Sequence, residues 1–130
     1  MDNYFIQPKS MGSDSIDLIM KTYDMYGTTL SIYEAAKSLE QLLHIKFEER
    51  ESSYVGVYFT TGSFSPTDSL DVEKFEIREN FDPVDSQVSM KEYSEWPTLL
   101  DIGRTERSKE IYEILKNDES NFTLLKSETF

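Results

Sequence analysis

A change in hydrophobic period partway along the chain is the strongest constraint on its fold. From Ser31 to His44 the apolar residues recur every three or four positions, which is typical of a helix with one buried face. Ser31 and Glu34 have the spacing of a capping box, which favours a helix start at that point. Residues 53–61 (SYVGVYFTT) alternate instead and are rich in aromatic and β-branched side chains, which predicts a strand. The two patterns together predict a helix that packs on a sheet.

The remaining elements follow from the same reasoning. A first helix is predicted over about 15–26, before the one over 31–44. A strand over about 70–81 is predicted to pair antiparallel with 53–61, with Phe75, Ile77 and Phe81 sharing one face. A third helix is expected after Thr105, with Ile111, Ile114 and Leu115 on its core side. Residues 82–95 are predicted to form a polar surface loop, Gly103 a turn and residues 122–130 a final strand. The expected fold is α+β, a single domain of residues 1–130. It has a mostly antiparallel sheet, with two N-terminal helices and one later helix packed on one face.

Composition narrows the classes of function. The 130 residues include 25 Asp and Glu against 13 Lys and Arg, a net charge of −12, with no Cys and a single His. The missing thiols exclude disulfides and thiolate metal sites, and the negative charge disfavours direct nucleic-acid binding. No stretch approaches the roughly 18 apolar residues that span a bilayer, and the polar N-terminus does not resemble a secretory signal. We therefore expect a cytoplasmic protein that does not bind membranes.

The acidic excess is concentrated in the middle of the chain. Residues 48–101 hold thirteen acidic residues against four basic ones, whereas the flanking segments are nearly balanced. Carboxylates interleaved with aromatic residues suit an interface with a basic protein, although a merely solvated surface would also carry them. Whether Trp96 and the strand tyrosines, Tyr54 and Tyr58, belong to core or interface stays open. The predicted partner-binding residues are Tyr58, Phe64, Asp68, Asp71, Glu73, Glu76, Asp82, Asp85, Tyr93 and Trp96.

Catalytic patterns are missing from the sequence. His44 is the only imidazole, and its place at the end of a predicted helix favours a structural role. No Ser lies in a G-x-S-x-G motif, no glycine-rich phosphate loop occurs, and the Asp pairs do not have calcium-loop spacing. The sequence therefore predicts a protein that is not an enzyme, with no cofactor and no metal site.

In size, charge and layout the chain resembles a family of bacterial proteins. The segments SYVGVYFT (53–60), EWPTLLDIG (95–103) and FTLLKSETF (122–130) are the parts that come nearest to a signature. On these grounds the chain resembles the immunity proteins of contact-dependent growth inhibition and related polymorphic toxin systems. The resemblance implies tight binding to a toxin domain, often a basic nuclease, which is thereby neutralised. Alternatives are a nucleic-acid mimic that inhibits a DNA-binding enzyme, a carboxylate-dependent hydrolase and a non-enzymatic adaptor domain.

Overall fold

A computed structural model describes residues 21–61, 72–117 and 121–129. Two α-helices and six strands lie in this part of the chain, together with a short 3-10 turn at Lys91–Tyr93. In chain order the elements are β1 (Thr22–Thr28), α1 (Ile32–Leu43), β2 (Glu48–Ser52), β3 (Gly56–Thr60), β4 (Lys74–Glu79), β5 (Thr98–Thr105), α2 (Ser108–Lys116) and β6 (Thr123–Thr129). Neither described helix is long and apolar enough to cross a membrane.

The strands form one sheet in the order β2-β3-β4-β5-β1-β6, and every pairing is antiparallel. β1 lies between β5 and β6, so both of its neighbours in the sheet come from the second half of the chain. Thr28 pairs with Thr98 at one end of the sheet, and Thr22 pairs with Thr105 at the other. The loop that joins β4 to β5 therefore leaves the sheet at the end marked by Thr98.

The predicted arrangement of helices is wrong. The expected helix over 15–26 is a strand from Thr22 onward, while residues 15–20 lie outside the described residues. The structure thus has two described helices, one after β1 and one after β5, instead of two N-terminal helices and a later one. The reason is tertiary: β1 is hydrogen-bonded on both edges, and such a central position overrides a local helical spacing.

Helix α1 confirms the strongest local prediction. The Glu34 backbone N–H donates to the Ser31 hydroxyl at 3.1 Å, and the Ser31 backbone N–H donates to the Glu34 carboxylate at 3.0 Å. The helix ends at His44, which has a left-handed backbone with φ of 57°. Its buried stripe consists of Ile32, Ala35, Ala36, Leu39 and Leu43.

The core lies between the two helices and one face of the sheet. Phe75 and Ile77 of β4 stand beside Ile102 and Leu100 of β5, and all four side chains are buried. Helix α2 contributes Ile111 and Leu115, as its spacing predicted. Other local expectations are corrected: Phe81 is exposed because it follows the end of β4, Gly103 lies within β5 instead of a turn, and β3 begins only at Gly56.

The alternate residues of the strands form the face opposite the helices, which we call the second face. Tyr23 and Met25 of β1, Glu76 and Arg78 of β4 and Asp101 of β5 lie there, as the registers require. The second face therefore carries charged and polar side chains beside the buried apolar side chains of Met25 and Leu99.

Candidate functional site

Charge on the second face is arranged in neutralising contacts. Asp101 accepts hydrogen bonds from the Tyr23 hydroxyl at 2.5 Å and from Nε of Arg78 at 3.1 Å. The side chains of this Arg78–Asp101 ion pair are 14% and 15% exposed, respectively. Tyr23 has its pKa raised by burial and by its bond to the Asp101 carboxylate. Arg50 forms an ion pair with Glu48 on the edge strand β2. Much of the acidic charge on this face is therefore already occupied within the chain.

Glu76 lies beside this network on β4, directly opposite Asp101. Burial raises the pKa of the Glu76 carboxyl, and the negative charge of Asp101 raises it further, against a smaller opposing effect of Lys74 and Arg78. The carboxylate form is thus disfavoured in the folded protein. Glu76 lies half-buried on the second face, with its side chain turned away from the core.

Glu73 belongs to an internal contact. Its carboxylate accepts two hydrogen bonds from the Arg107 guanidinium, at 2.9 and 3.0 Å, and one from the Thr105 hydroxyl at 2.6 Å. Arg107 also lies 5.9 Å from the ring centroid of Phe75. Burial alone would raise the pKa of Glu73, but the bonds from Arg107 and Thr105 outweigh it and hold the pKa below its usual value. The geometry gives Glu73 a structural role, because it ties the start of β4 to the start of α2.

A single buried side chain organises the β4–β5 loop (residues 80–97). The Asn80 amide shares its two hydrogens among the carbonyls of Met90, Tyr93 and Trp96, at 3.0–3.3 Å. Its side-chain oxygen accepts from the Met90 N–H at 2.7 Å, and its own backbone N–H donates to the Pro97 carbonyl at 2.8 Å. Asn80 is only 5% exposed. The sequence predicted a polar surface loop here, and the structure shows a loop held around one amide.

The outer part of the β4–β5 loop presents apolar and acidic groups together. Phe81 is 43% exposed and Val84 is 68% exposed. The Asp82 carboxylate accepts from the Val84 N–H at 2.8 Å, and the Asp85 carboxylate accepts from the Gln87 N–H at 3.1 Å, so both acids also fix the local turns. Four carboxylates lie in this loop against one basic side chain, Lys91, and they belong to Asp82, Asp85, Glu92 and Glu95.

The predicted aromatic residues occupy different positions. Tyr93 is half-buried, and its carbonyl is one of the acceptors of Asn80. Trp96 is half-buried where its ring passes over Gly27 of β1. Tyr58 is half-buried on the second face opposite Arg78, whereas Tyr54 is 75% exposed at the turn between β2 and β3.

The structure therefore brings together only part of the predicted set. Asp82, Asp85, Tyr93 and Trp96 share the β4–β5 loop. Tyr58 and Glu76 lie elsewhere, on the sheet, and Glu73 lies just before β4. Phe64, Asp68 and Asp71 lie outside the described residues. Sequence reasoning missed Asn80, Phe81 and Val84. Phe81 matched the period of the buried face of β4, and the only signal against it was Pro83, two residues beyond, which marks the end of the strand.

Among the described residues no group of three or more His, Asp and Glu side chains is placed to hold a metal ion. His44, the single imidazole, is exposed at the end of α1. No model of a known protein family matches the chain, and a search of curated proteins finds no significant similarity.

Proposed function

We propose that this protein is a cytoplasmic bacterial immunity protein that binds a basic toxin domain, such as a nuclease, through its β4–β5 loop. The observation that supports the proposal most directly is the loop held by Asn80, which displays Phe81 and Val84 among four carboxylates. Protein interfaces have this composition, with an apolar centre that loses its water and a polar rim.

Each part of the loop has a role in this proposal. Phe81 and Val84 supply the apolar centre of the interface, since they are the most exposed apolar side chains of the loop. The surrounding carboxylates attract Lys and Arg of the toxin and accelerate association. The bonds of Asn80 keep the loop in one conformation, which reduces the entropy lost on binding.

The exposed apolar pair favours a toxin over the alternative partner of a nucleic-acid mimic. A mimic reproduces the regular negative charge of a phosphate backbone, and its target binds through basic side chains that contact charge. Phe81 and Val84 are instead exposed in the same loop as the carboxylates, where they would contact an apolar pocket. A toxin-specific interface accounts for both kinds of group.

The test uses the purified protein and the toxin domain encoded beside its gene. Binding is measured by calorimetry over a series of salt concentrations, together with rescue of growth in cells that express the toxin. The double variant Phe81→Ala with Val84→Ala is expected to weaken binding about 100-fold or more, as for central interface residues. Tyr54→Ala removes an aromatic residue that is more exposed than Phe81, at the β2–β3 turn, and is expected to bind normally.

A second pair of variants separates the effect of the carboxylates in the β4–β5 loop from the effect of the net charge of the protein. The triple variant Asp85→Asn, Glu92→Gln and Glu95→Gln is expected to slow association and to reduce its dependence on salt. The matched triple variant Glu106→Gln, Glu110→Gln and Glu113→Gln makes the same change in net charge around α2 and is expected to bind like the native protein. An equal loss of binding in both triple variants would contradict an interface confined to the β4–β5 loop. Displacement of the partner by generic duplex DNA would favour the mimic.

A further inference from the structure

The two edges of the sheet differ in how well they are protected from pairing with another strand. On β2, four of the five residues are charged (Glu48, Glu49, Arg50 and Glu51), and charged side chains are a common means of discouraging such pairing. On β6, at the opposite edge, Leu124 and Leu125 are apolar and only Lys126 and Glu128 are charged. Leu124 is 37% exposed. The edge formed by β6 is thus the better template for an added strand.

The second half of β6 has regular backbone geometry. Within the described residues β6 pairs only with β1, so its outer edge has no strand beside it. The register is irregular between Met25 and Tyr26, but residues 126–129 follow residues 25–22 without a break. A regular, exposed edge offers its free N–H and C=O groups in the pattern that an extended partner needs.

The charged side chains of residues 126–128 are complementary to those of a second, antiparallel copy of the same segment. Lys126 and Glu128 are two positions apart, so they lie on the same face of β6, and their Nζ and Oε2 atoms are 3.5 Å apart. In an antiparallel pair of two copies centred on Ser127, Lys126 of each copy lies opposite Glu128 of the other. The two-fold symmetry therefore generates two cross-strand pairs of opposite charge.

We propose that β6 pairs antiparallel with β6 of a second copy of this chain, centred on Ser127, so that one sheet continues through a symmetric dimer. Ser127 lies opposite Asp24, whereas Thr123, at the other end of β6, lies opposite Gly27 and thus nearer the β4–β5 loop. The loop stays exposed in both copies. The dimer is therefore independent of the proposed toxin interface, and either can fail without the other.

Sedimentation equilibrium on the full chain tests this pairing at about 0.15 M salt, where the Debye length of about 8 Å screens the repulsion between two acidic copies. The native protein is expected to dimerise as its concentration rises. Lys126→Glu and Glu128→Lys each place like charges opposite one another at both pairs, and each is expected to weaken dimerisation about tenfold or more.

Two further experiments, a mixture of the single variants and the double variant, make the test specific. When the single variants are mixed, one copy presents two carboxylates and the other presents two cations, so a heterodimer is expected where neither variant dimerises alone. The double variant, with both charges exchanged, is expected to dimerise like the native protein. The controls Lys116→Glu and Glu113→Lys disturb a similarly exposed ion pair on α2 and are expected to have no effect.

Three results would overturn the proposal. They are a protein that stays monomeric over the whole concentration range, a dimer that both single variants leave unchanged, and a mixture of the single variants that stays monomeric. A partner other than a second copy would show itself by the first result together with loss of binding to the toxin in the same single variants.

Discussion

The ring of Trp96 lies directly against Gly27 of β1, at a position where a Cβ would come within 2.6 Å of the indole Cγ and Cδ2 atoms. The same Cβ would lie 3.0 Å from Cδ1 of Leu125 on β6. The missing side chain of Gly27 thus allows Trp96, at the end of the β4–β5 loop, to pack against the sheet near the end of β1. The loop is fixed at this point by the sheet and at its start by Asn80.

Gly27→Ala is expected to destabilise the protein by about 1–3 kcal/mol, because the added methyl group displaces Trp96 or the strand. Urea unfolding measures the loss, and the fluorescence of Trp96, the only tryptophan, reports any movement of its ring. Gly103→Ala is the matched control. A Cβ there meets no atom of the described part of the chain within 4 Å, so stability is expected to stay the same or to rise by up to about 1 kcal/mol. Equal effects of the two substitutions would contradict the close contact at Gly27.

Asn80→Ala is expected to cost about 2–4 kcal/mol, because it leaves several partly buried backbone groups of the loop without their hydrogen-bond partners. Hydrogen exchange provides the local measurement, since the Met90 amide that donates to Asn80 should lose its protection. Asn117→Ala removes a single exposed bond to the Glu113 carbonyl and should cost less than about 1 kcal/mol. A stable Asn80 variant with a protected Met90 amide would show that the loop is held by other contacts.

Glu73→Gln and Glu76→Gln make the same chemical change and are expected to have opposite effects at pH 7. The folded-state pKa of Glu73 is lowered by Arg107 and Thr105 in spite of burial, so its carboxylate stabilises the fold above the ordinary value of 4.5. That stability is lost as the pH falls through the folded-state pKa. Glu73→Gln should therefore destabilise the protein at pH 7 by roughly 1–2 kcal/mol and have progressively less effect at lower pH.

The folded-state pKa of Glu76 is raised, chiefly by burial and then by Asp101, so its carboxylate reduces the stability of the fold at neutral pH. Glu76→Gln is expected to stabilise the protein at pH 7, with the gain disappearing below pH 4.5, where the acid is protonated in both states. Urea unfolding of both variants between pH 3 and pH 7 measures the two trends. Changes in stability of the same sign for both variants at pH 7 would contradict the opposite pKa shifts of Glu73 and Glu76.

Tyr26→Phe is expected to leave stability unchanged or to raise it by about 1–2 kcal/mol. The Tyr26 hydroxyl is buried and has no hydrogen-bond partner among the described residues, so its removal recovers the cost of its desolvation. Burial raises the pKa of this hydroxyl, and the charge of Asp24 adds to the effect, so the group is neutral at any ordinary pH. Thermal and urea unfolding provide the comparison. A clear loss of stability would show that the hydroxyl makes a favourable contact.

The amino-acid sequence was informative wherever neighbouring residues decide the structure. The capping box of Ser31 and Glu34 and the apolar stripe behind it predicted α1 within a residue or two at each end. Alternating patterns predicted β3 and β4, a final strand was predicted over 122–130, and the spacing of Ile111 and Leu115 predicted the buried side of α2. These signals are local, because a helix or a strand shows its period within a single segment.

Tertiary contacts decided the rest. Residues 22–28 form a strand because β5 and β6 hydrogen-bond to both edges, and their Asp24 binds the hydroxyl of Ser108, 84 positions away. The sequence also located the acidic excess between residues 48 and 101, yet it could not tell which carboxylates have partners. Arg107, 34 positions from Glu73, neutralises that carboxylate, while Asp82 and Asp85 stay in the surface loop. The net charge is fixed by composition. Whether a given carboxylate can bind a partner depends on which cations, distant in the sequence, the fold brings near it.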